Sequence, residues 1–260
     1  MFDVIEQLKA ELAHGKAVQS FRELLPDGEI GYAPNTGWLE PFSNKQEDID
    51  ACKRAMMWQK EWFMDPVFKG SYPETLITIF ENHNAKLKLE DGDLELISQP
   101  IDFMGINYYT GSLGRYKEGE GLFEVEEIPL DYRKTDIGWP IYADGFYNVL
   151  TDLHETYGDV PIYITENGAC YNHEVEDGRV HDQERVDYLK QHLTSLHRAI
   201  ESGVPIKGYI VWSLLDNFEW AFGYEKRFGI IHVNYRTFVR TPKDSYYWYR
   251  QTITNGWFEV

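Results

Sequence analysis

The feature that most constrains the fold is a repeated alternation of short apolar segments with longer amphipathic ones. Four apolar segments are predicted to be strands: EIGYAP (29–34), PIDFMGINYYT (100–110), PIYITENG (161–168) and IKGYIVWSLLD (206–216). They are predicted to be apolar on both faces, and helical patterns separate them, which is typical of parallel strands covered by helices. The sequence therefore predicts an α/β fold of about four β/α units, with residues 1–260 forming a single domain.

The segments between these strands carry recognisable helix and loop signals. Helices are predicted over 4–24, from an N-cap at Ser43 to Phe63, over 73–83, from Pro140 to Gly158, over 182–203 and from 241 to 253. The polar stretches 65–73 and 111–138 are predicted to be loops, the second a long one on the surface, and 229–239 a hairpin.

Composition excludes several classes of function. A net charge of -18 argues against a nucleic-acid partner, which would require a basic face. No apolar run approaches the ~20 residues of a membrane-spanning helix. Two cysteines and the lack of a basic-then-apolar leader predict a cytoplasmic protein. Aromatic residues make up 15% of the chain, which suits either a core or a carbohydrate site.

Common cofactor and metal motifs are missing from the sequence. His154-Glu155 begins like a zinc-binding helix, but Gly158 stands where the second histidine would be. There is no Cys-x-x-Cys, no phosphate-binding glycine loop and no Gly-x-Ser-x-Gly elbow. We therefore expect no metal and no cofactor.

Polar and aromatic residues cluster where the predicted strands end. They are Asn35, Asn107, Tyr109, Glu166, Asn167, Trp212 and Glu219. Active groups sit at the carboxyl ends of parallel strands in such folds. The set is therefore the candidate site.

At this point a family resemblance becomes specific. YITENGA (163–169) resembles the nucleophile signature of glycoside hydrolase family 1, the retaining β-glucosidases and β-galactosidases built on a (β/α)8 TIM barrel. Further blocks resemble that family in the same order along the chain: LAHGKAVQ (12–19), IGYAPNTGW (30–38), GINYYT (105–110), IVWSLLDNFEWAFGY (210–224) and RFGIIHVNYRTFVRTPKDSYYWY (227–249). The resemblance implies the C-terminal half of such a barrel, from helix 4 through helix 8.

The resemblance implies catalytic roles for two residues. Retention needs one carboxylate that attacks the anomeric carbon and a second carboxyl group about 5 Å away that donates and then accepts a proton. Glu166 matches the nucleophile, the alternative being a strand-end glutamate in a salt bridge. Tyr109 matches the tyrosine that orients it. Asn107 would bind substrate beside them or, alternatively, tie the strand to a loop.

The remaining matched residues would bind the sugar. Trp212 resembles the platform under the glucose ring, and Glu219 and Trp220 resemble ligands of its outer hydroxyl groups. Relatives acting on 6-phosphorylated sugars lack that glutamate, so the resemblance implies an unphosphorylated β-glucoside or a cellobiose-type sugar. Trp139 would flank the aglycone or only pack, and Phe228 would line the pocket or belong to the core.

The acid/base glutamate of the family stands in an Asn-Glu-Pro sequence, and this chain contains none. The resemblance therefore predicts a half-barrel that needs a complementary N-terminal half or a second copy of the chain to close it. Two functions stay open. One is a β-glucosidase that is active when complemented, and the other is an inactive half-barrel that self-associates and at most binds sugar or aromatic ligands.

Overall fold

The computed structural model describes residues 4–256 and 258. The helices in this part of the chain are α1 (Val4–Leu24), α2 (Gln46–Met56), α3 (Trp62–Lys69), α4 (Glu74–Asn82), α5 (Asp93–Ile97), α6 (Ala143–Tyr157), α7 (Gln183–Glu201) and α8 (Asp244–Asn255). The strands are β1 (Gly31–Tyr32), β2 (Asn35–Pro41), β3 (Phe103–Tyr116), β4 (Val125–Pro129), β5 (Ile162–Asn167), β6 (Ile206–Val211), β7 (Ile231–Val233) and β8 (Arg240–Pro242). A π-helical turn, Met57–Glu61, joins α2 to α3, and a 3₁₀ turn, Trp220–Phe222, follows β6.

Four strands form a parallel sheet in the order β1-β3-β5-β6. β2 continues beyond β1 along β3, where Asn35 lies opposite Asn107. On the other side of β3, Asn107 lies opposite Glu166. The carboxyl ends of neighbouring strands are thus side by side, and they carry the polar residues singled out in the sequence. β7 and β8 form the predicted hairpin.

One face of the sheet is fully covered by α6 and α7. Ile106 of β3 and Ile164 of β5 lie in a core cluster with Phe146 and Leu153 of α6. The ring of Tyr108 stacks on that of Phe146 with centroids 5.0 Å apart. Burying a side chain of this size stabilises the fold by about 1.5–3 kcal/mol. The sheet and its two helices therefore form a complete core on this side.

The opposite face of the sheet is only partly covered. Because successive residues of a strand face opposite sides of the sheet, the Tyr163 side chain and the position of Gly105 lie on the side away from α6 and α7. A Cβ atom at Gly105 would lie 2.6 Å from the Cβ of Ala33, so this close approach requires glycine. Near the end of β6, Ile210 is 56% exposed. Among the described residues, no layer packs over this face and the edge strands β1 and β6 each lack a partner on one side.

A second core cluster contains side chains from each of the helices α1, α2, α3, α4 and α5. Trp62 is fully buried there, with Tyr72 and Phe80 rings at centroid distances of 4.6 and 4.8 Å. The hydroxyl of Tyr72 donates a 2.5 Å hydrogen bond to Glu11 Oε2. Glu11 is only 2% exposed, and burial raises the pKa of its carboxyl group to about 8.

Two predicted local features in this region are wrong. Helix α2 begins at Gln46, and Ser43 caps no helical N–H; its hydroxyl donates to the Asp48 carboxylate at 2.5 Å. The predicted loop 65–73 is helical as far as Lys69, with Pro66 inside α3. Asp-Pro normally signals a turn, but here burial of neighbouring apolar side chains decides the conformation.

The segment 111–138 is also more regular than predicted. β3 runs on to Tyr116 and pairs antiparallel with β4, so part of the predicted loop is a hairpin. Cross-strand ion pairs stabilise it, because Arg115 and Lys117 both reach the Glu126 carboxylate, at 2.5 and 3.1 Å. The many charges conceal the strand pattern in the sequence. The helix predicted from Pro140 starts three residues later, at Ala143.

None of the helices in the described part of the chain combines the length and apolar content needed to cross a membrane. Both cysteines, Cys52 and Cys170, are free and buried.

Candidate active site

Glu166 is brought into the site by an irregularity in the sheet. Ile162 and Ile164 of β5 point to the covered face, so regular alternation would turn Glu166 the same way. The pairing of β5 shifts register on both sides here, between Ile106 and Asn107 of β3 and between Ile164 and Asn167 of β5 itself. Such bulges re-aim side chains. The Glu166 carboxylate is consequently turned to the open side of the strand ends.

Tyr109 meets that carboxylate directly. Its hydroxyl donates a 2.5 Å hydrogen bond to Glu166 Oε2. Burial raises the pKa of Tyr109 far above its usual value, and the hydrogen bond to Glu166 and the negative charge of Glu166 act in the same direction. Tyr109 therefore stays protonated and remains a donor, which keeps one carboxylate oxygen in a fixed position. The sequence-predicted pair is brought together.

Two further aromatic residues surround Tyr109. The rings of Trp139 and Phe228 lie with centroids 5.5 and 5.9 Å from the Tyr109 ring, and 6.1 Å from each other. Phe228 is 2% exposed, whereas Trp139 is half-buried. The three rings form a wall beside the Glu166 carboxylate, with Trp139 as its accessible part.

Glu219 and Trp212 form a second group near Glu166. Burial raises the pKa of Glu219, the neighbouring Trp212 side chain opposes that shift, and the charge of Glu166 adds to it. The charge of Glu166 is thus felt at Glu219. Two carboxyl groups share this end of the sheet.

Asn107 and Trp220 are placed differently. The side-chain oxygen of Asn107 accepts a 2.6 Å hydrogen bond from the Thr165 hydroxyl. This hydrogen bond joins β3 to β5 and occupies the oxygen of the Asn107 amide group. Thr165 directly precedes Glu166 in the chain. Trp220 follows Glu219 in the 3₁₀ turn and is 82% exposed. It stands out from the site instead of closing over it.

A cavity of about 590 Å³ opens beside Tyr109 and Trp139. Its other walls come from β1, β2, the π-helical turn and the start of α3; they include Tyr32, Asn35, Thr36, Trp58, Gln59 and Phe63. A larger cavity, about 870 Å³, lies between the 131–144 segment and α7, away from Glu166. We assign the site to the smaller cavity because Tyr109, the hydrogen-bond partner of Glu166, lines it.

A buried ionic cluster anchors the segment that carries Glu219, and sequence reasoning missed it. The fully buried side chain of Asp216 accepts from Arg227 at 2.7 Å and from Lys243 at 3.0 Å. The amides of Gly229 and Val233 also donate to it. Burial lowers the pKa of Lys243 to about 8. These contacts join the segment after β6 to the hairpin and to the start of α8.

A second ionic pair anchors the segment after Glu166. Arg185 of α7 is buried, pairs with Asp182 at 2.8 Å and donates to the carbonyl groups of Ala169 and Tyr171. The partners of Asp216 are distant in sequence and give no local signal, whereas Asp182 and Arg185 are three residues apart and their burial appears only in the fold. Among the described residues, no group of three His, Cys, Asp or Glu side chains is placed to hold a metal ion.

The sequence pattern of glycosyl hydrolase family 1 matches residues 4–257. The chain belongs to this family. It is 45% identical over 250 residues to "Beta-glucosidase A" of Acetivibrio thermocellus, covering 95% of this chain and 56% of that protein. The fold matches the Thermotoga maritima family 1 glycoside hydrolase complexed with a cyclophellitol analogue transition state mimic, with a TM-score of 0.89, 44% identity and coverage of 95% of this chain and 55% of that one. A β-glucosidase structure from Exiguobacterium antarcticum also gives a TM-score of 0.89, at 40% identity, covering 94% of this chain and 55% of that one.

These matches confirm the predicted family and fold class. The solved relatives are (β/α)8 barrels, and this chain corresponds to about half of one, with its parallel sheet forming part of the barrel wall. The chain spans about half the length of the curated relatives it matches.

Proposed function

We propose that this chain is the nucleophile-bearing part of a retaining β-glucosidase. The observation that carries the proposal is the 2.5 Å hydrogen bond between Tyr109 and Glu166 at the carboxyl ends of adjacent parallel strands. A carboxylate fixed in this way, beside an aromatic wall, suits attack on the anomeric carbon of a pyranose. Family membership supports the same reaction class.

In the proposed reaction, a Glu166 oxygen forms a bond to the anomeric carbon while the bond from that carbon to the aglycone oxygen breaks. The departing oxygen takes a proton from the acid/base carboxyl group. Water, deprotonated by the same group, then attacks the glycosyl ester and releases glucose and Glu166. Tyr109 hydrogen-bonds the nucleophile and holds its orientation.

Trp212 and Glu219 suit the sugar-binding role. An indole face provides an apolar platform for the C–H groups of a pyranose ring, and the Glu219 carboxylate lies close enough to the Trp212 side chain for its pKa to be affected. A carboxylate accepts hydrogen bonds from sugar hydroxyl groups but repels a phosphate group. We therefore assign an unphosphorylated β-glucoside to the site, with Asn107 and Trp220 as further hydroxyl ligands, Trp139 flanking the aglycone and the buried Phe228 packed beside Trp139.

The acid/base carboxyl group is assigned to a complementary N-terminal half. General acid–base catalysis contributes roughly 10²–10⁴-fold, so the chain alone should hydrolyse ordinary glucosides poorly. The unpaired β1 and β6 edges and the exposed Ile210 provide the surface on which that half would close the barrel.

Complementation tests this proposal. The chain is mixed with a separately produced N-terminal part of a family 1 relative that contains Asn-Glu-Pro, and complex formation is followed by light scattering. Hydrolysis of nitrophenyl β-glucoside should appear with the complex and disappear with Glu166→Gln. Exposed Glu155 on α6 provides the matched control, Glu155→Gln. A stable complex without hydrolysis would refute the proposal.

The second candidate is an inactive half-barrel that self-associates. It is favoured by the exposed apolar side chains at the β6 edge and in the following segment, namely Ile210, Leu214 and Phe218. A dimer that forms in preference to the complemented complex, without hydrolysis, would support this alternative.

A further inference from the structure

The backbone that presents the nucleophile is held in an unusual way. In a regular parallel sheet, evenly spaced N–H···O=C bonds fix each strand to its neighbours. At the end of β5 the register shifts toward both β3 and β6, so this regular support is interrupted on both sides. Glu166 and Asn167 occupy this interruption. The pairs Asn107–Glu166 and Asn167–Val211 remain, and side-chain bonds add to them here.

The side chain of Asn167 replaces the interrupted ladder. Its Nδ2 donates to the carbonyl oxygen of Tyr108 on β3 at 2.7 Å. Its Oδ1 accepts from the hydroxyl of Tyr209 on β6 at 2.7 Å. Its own carbonyl oxygen accepts from the Trp212 amide at 2.9 Å. Because Asn167 is fully buried, water does not compete for these bonds.

Tyr188 of α7 completes the connection. Its hydroxyl accepts from Asn167 Nδ2 at 3.1 Å and donates to the carbonyl oxygen of Tyr109 at 3.2 Å. The Tyr188 ring stacks on His192 with centroids 3.9 Å apart, which fixes the position of the hydroxyl. Burial raises the pKa values of Tyr188 and Tyr209 well above the usual range, so both remain donors.

We propose that Asn167, with the hydroxyl groups of Tyr188 and Tyr209, is a positioning unit that sets how Glu166, Tyr109 and Trp212 stand relative to one another. Each of these three residues adjoins a backbone group that the unit holds. The unit lies behind the strand ends and acts through the backbone, without touching the sugar. Its role in the reaction rests on the proposed function, whereas its hold on the backbone does not.

The proposal explains why an amide is needed at position 167. An aspartate of the same shape would set a charged oxygen against the Tyr108 carbonyl oxygen in a buried site, where repulsion is strong. A leucine would leave the Tyr209 hydroxyl without its side-chain acceptor. Only a group with a donor at one end and an acceptor at the other satisfies both strands.

The first test compares single-hydroxyl deletions in the complemented complex. Tyr188→Phe removes the bonds to Asn167 and to the Tyr109 carbonyl group, and Tyr209→Phe removes the bond to the Asn167 side chain. Both keep the ring, so both should fold. We expect kcat for nitrophenyl β-glucoside to fall about 10-fold and KM to change less than about 2-fold, because misplacement costs more in the transition state than in binding. The matched control is Tyr157→Phe, which removes a buried hydroxyl that donates to Asp65 at 2.7 Å on the outer side of the sheet. It should leave kcat unchanged.

The second test does not depend on activity. Hydrogen exchange of the Trp212 amide is measured in the chain alone for Asn167→Asp, the two site tyrosine variants and Tyr157→Phe. We expect faster exchange at Trp212 in the first three, roughly 10-fold, with the Met104 amide, bonded to the Pro161 carbonyl group at 2.8 Å, as the unchanged reference.

The outcomes separate the two proposals. If the wild-type complex shows no hydrolysis, the proposed function fails and exchange at Trp212 alone decides the positioning role. Unchanged exchange at Trp212 in Tyr209→Phe, or a lowered melting temperature of both tyrosine variants with kcat within twofold of wild type, overturns the positioning unit. If Asn167→Asp does not fold, the tyrosine variants decide.

Discussion

The two faces of the four-stranded sheet differ sharply in how complete they are. On the face under α6 and α7, Ile106, Ile164 and Phe146 are fully buried and need nothing more. On the other face, Ile210 near the end of β6 is 56% exposed, so the described residues cover this face incompletely. The candidate nucleophile stands at the rim of this uncovered face. The comparison teaches that the covered face is a complete folding core, whereas our proposal requires a second half to complete the site.

The largest expected effect is the loss of hydrolysis when Glu166, at the edge of the open face, is changed. Glu166→Gln should abolish hydrolysis in the complemented complex, because the neutral amide cannot form the glycosyl ester. The melting temperature should change little, since Glu166 is half-buried and its known partner is the Tyr109 hydroxyl. Activity assays and thermal melts on the same preparations check this. Retained hydrolysis would remove Glu166 from the mechanism.

Large-to-small substitutions compare the two faces directly. Phe146→Ala should lower the free energy of unfolding by about 3–5 kcal/mol, because it opens a cavity in the covered core. Ile210→Ala should cost less than about 0.5 kcal/mol in the chain alone, but it should weaken binding of the N-terminal half. Urea unfolding and titration with that half give the two numbers. Equal costs in unfolding would show that the faces do not differ.

The pH dependence of stability tests the effect of burying the Glu11 carboxyl group. The pKa of Glu11 is raised to about 8 in the folded state, so the protonated form is the one that the fold accommodates. The folded chain binds this proton more tightly than the unfolded chain does. The stability it contributes is therefore full below pH ~4.5 and is lost as the pH rises toward about 8.

Glu11→Gln mimics the protonated acid and should remove this pH dependence. Near pH 5 the variant and wild type should be similarly stable, whereas at pH 8.5 the variant should be more stable by on the order of 1–4 kcal/mol. Exposed Glu95 on α5 supplies the control substitution, Glu95→Gln. A wild-type stability that does not fall between these pH values would contradict the raised pKa.

The smallest expected effect on stability is that of changing Trp220 in the exposed 3₁₀ turn. Trp220 is 82% exposed, so Trp220→Ala should change the free energy of unfolding by less than about 0.5 kcal/mol. If Trp220 binds a sugar hydroxyl group, the same variant should raise KM in the complemented complex. An unchanged KM would assign Trp220 to the surface alone.

Much of the fold could be predicted because its signals are local. The four strands, the helices α1, α6 and α7 and the final hairpin follow from apolar periodicity and from turn residues. The helical course of 65–69 and the β3–β4 hairpin could not be predicted. There, burial of Trp62 and its neighbours and cross-strand ion pairs to Glu126 outweigh the local preference.

In the candidate site, too, residues in local sequence motifs could be predicted and residues that act through long-range contacts could not. Glu166, Tyr109 and Trp212 stand in recognisable motifs, and the structure brings the first two into contact. The residues that hold them, Asn167 through its amide and Asp216 through its buried ion pairs, act across strands and loops distant in sequence. Asn167 was visible as a polar strand-end residue, but its role depends on register shifts that appear only in the assembled sheet.

The most direct test of the central claim is to trap the glycosyl intermediate. The complemented complex is incubated with a 2-deoxy-2-fluoro-β-glucoside that carries a dinitrophenolate leaving group, and both chains are weighed by mass spectrometry. The account predicts one fluoroglucosyl group on this chain, located on the peptide that contains Glu166, and none on Glu166→Gln. A complex that hydrolyses nitrophenyl β-glucoside but carries the adduct elsewhere, or none at all, would contradict it.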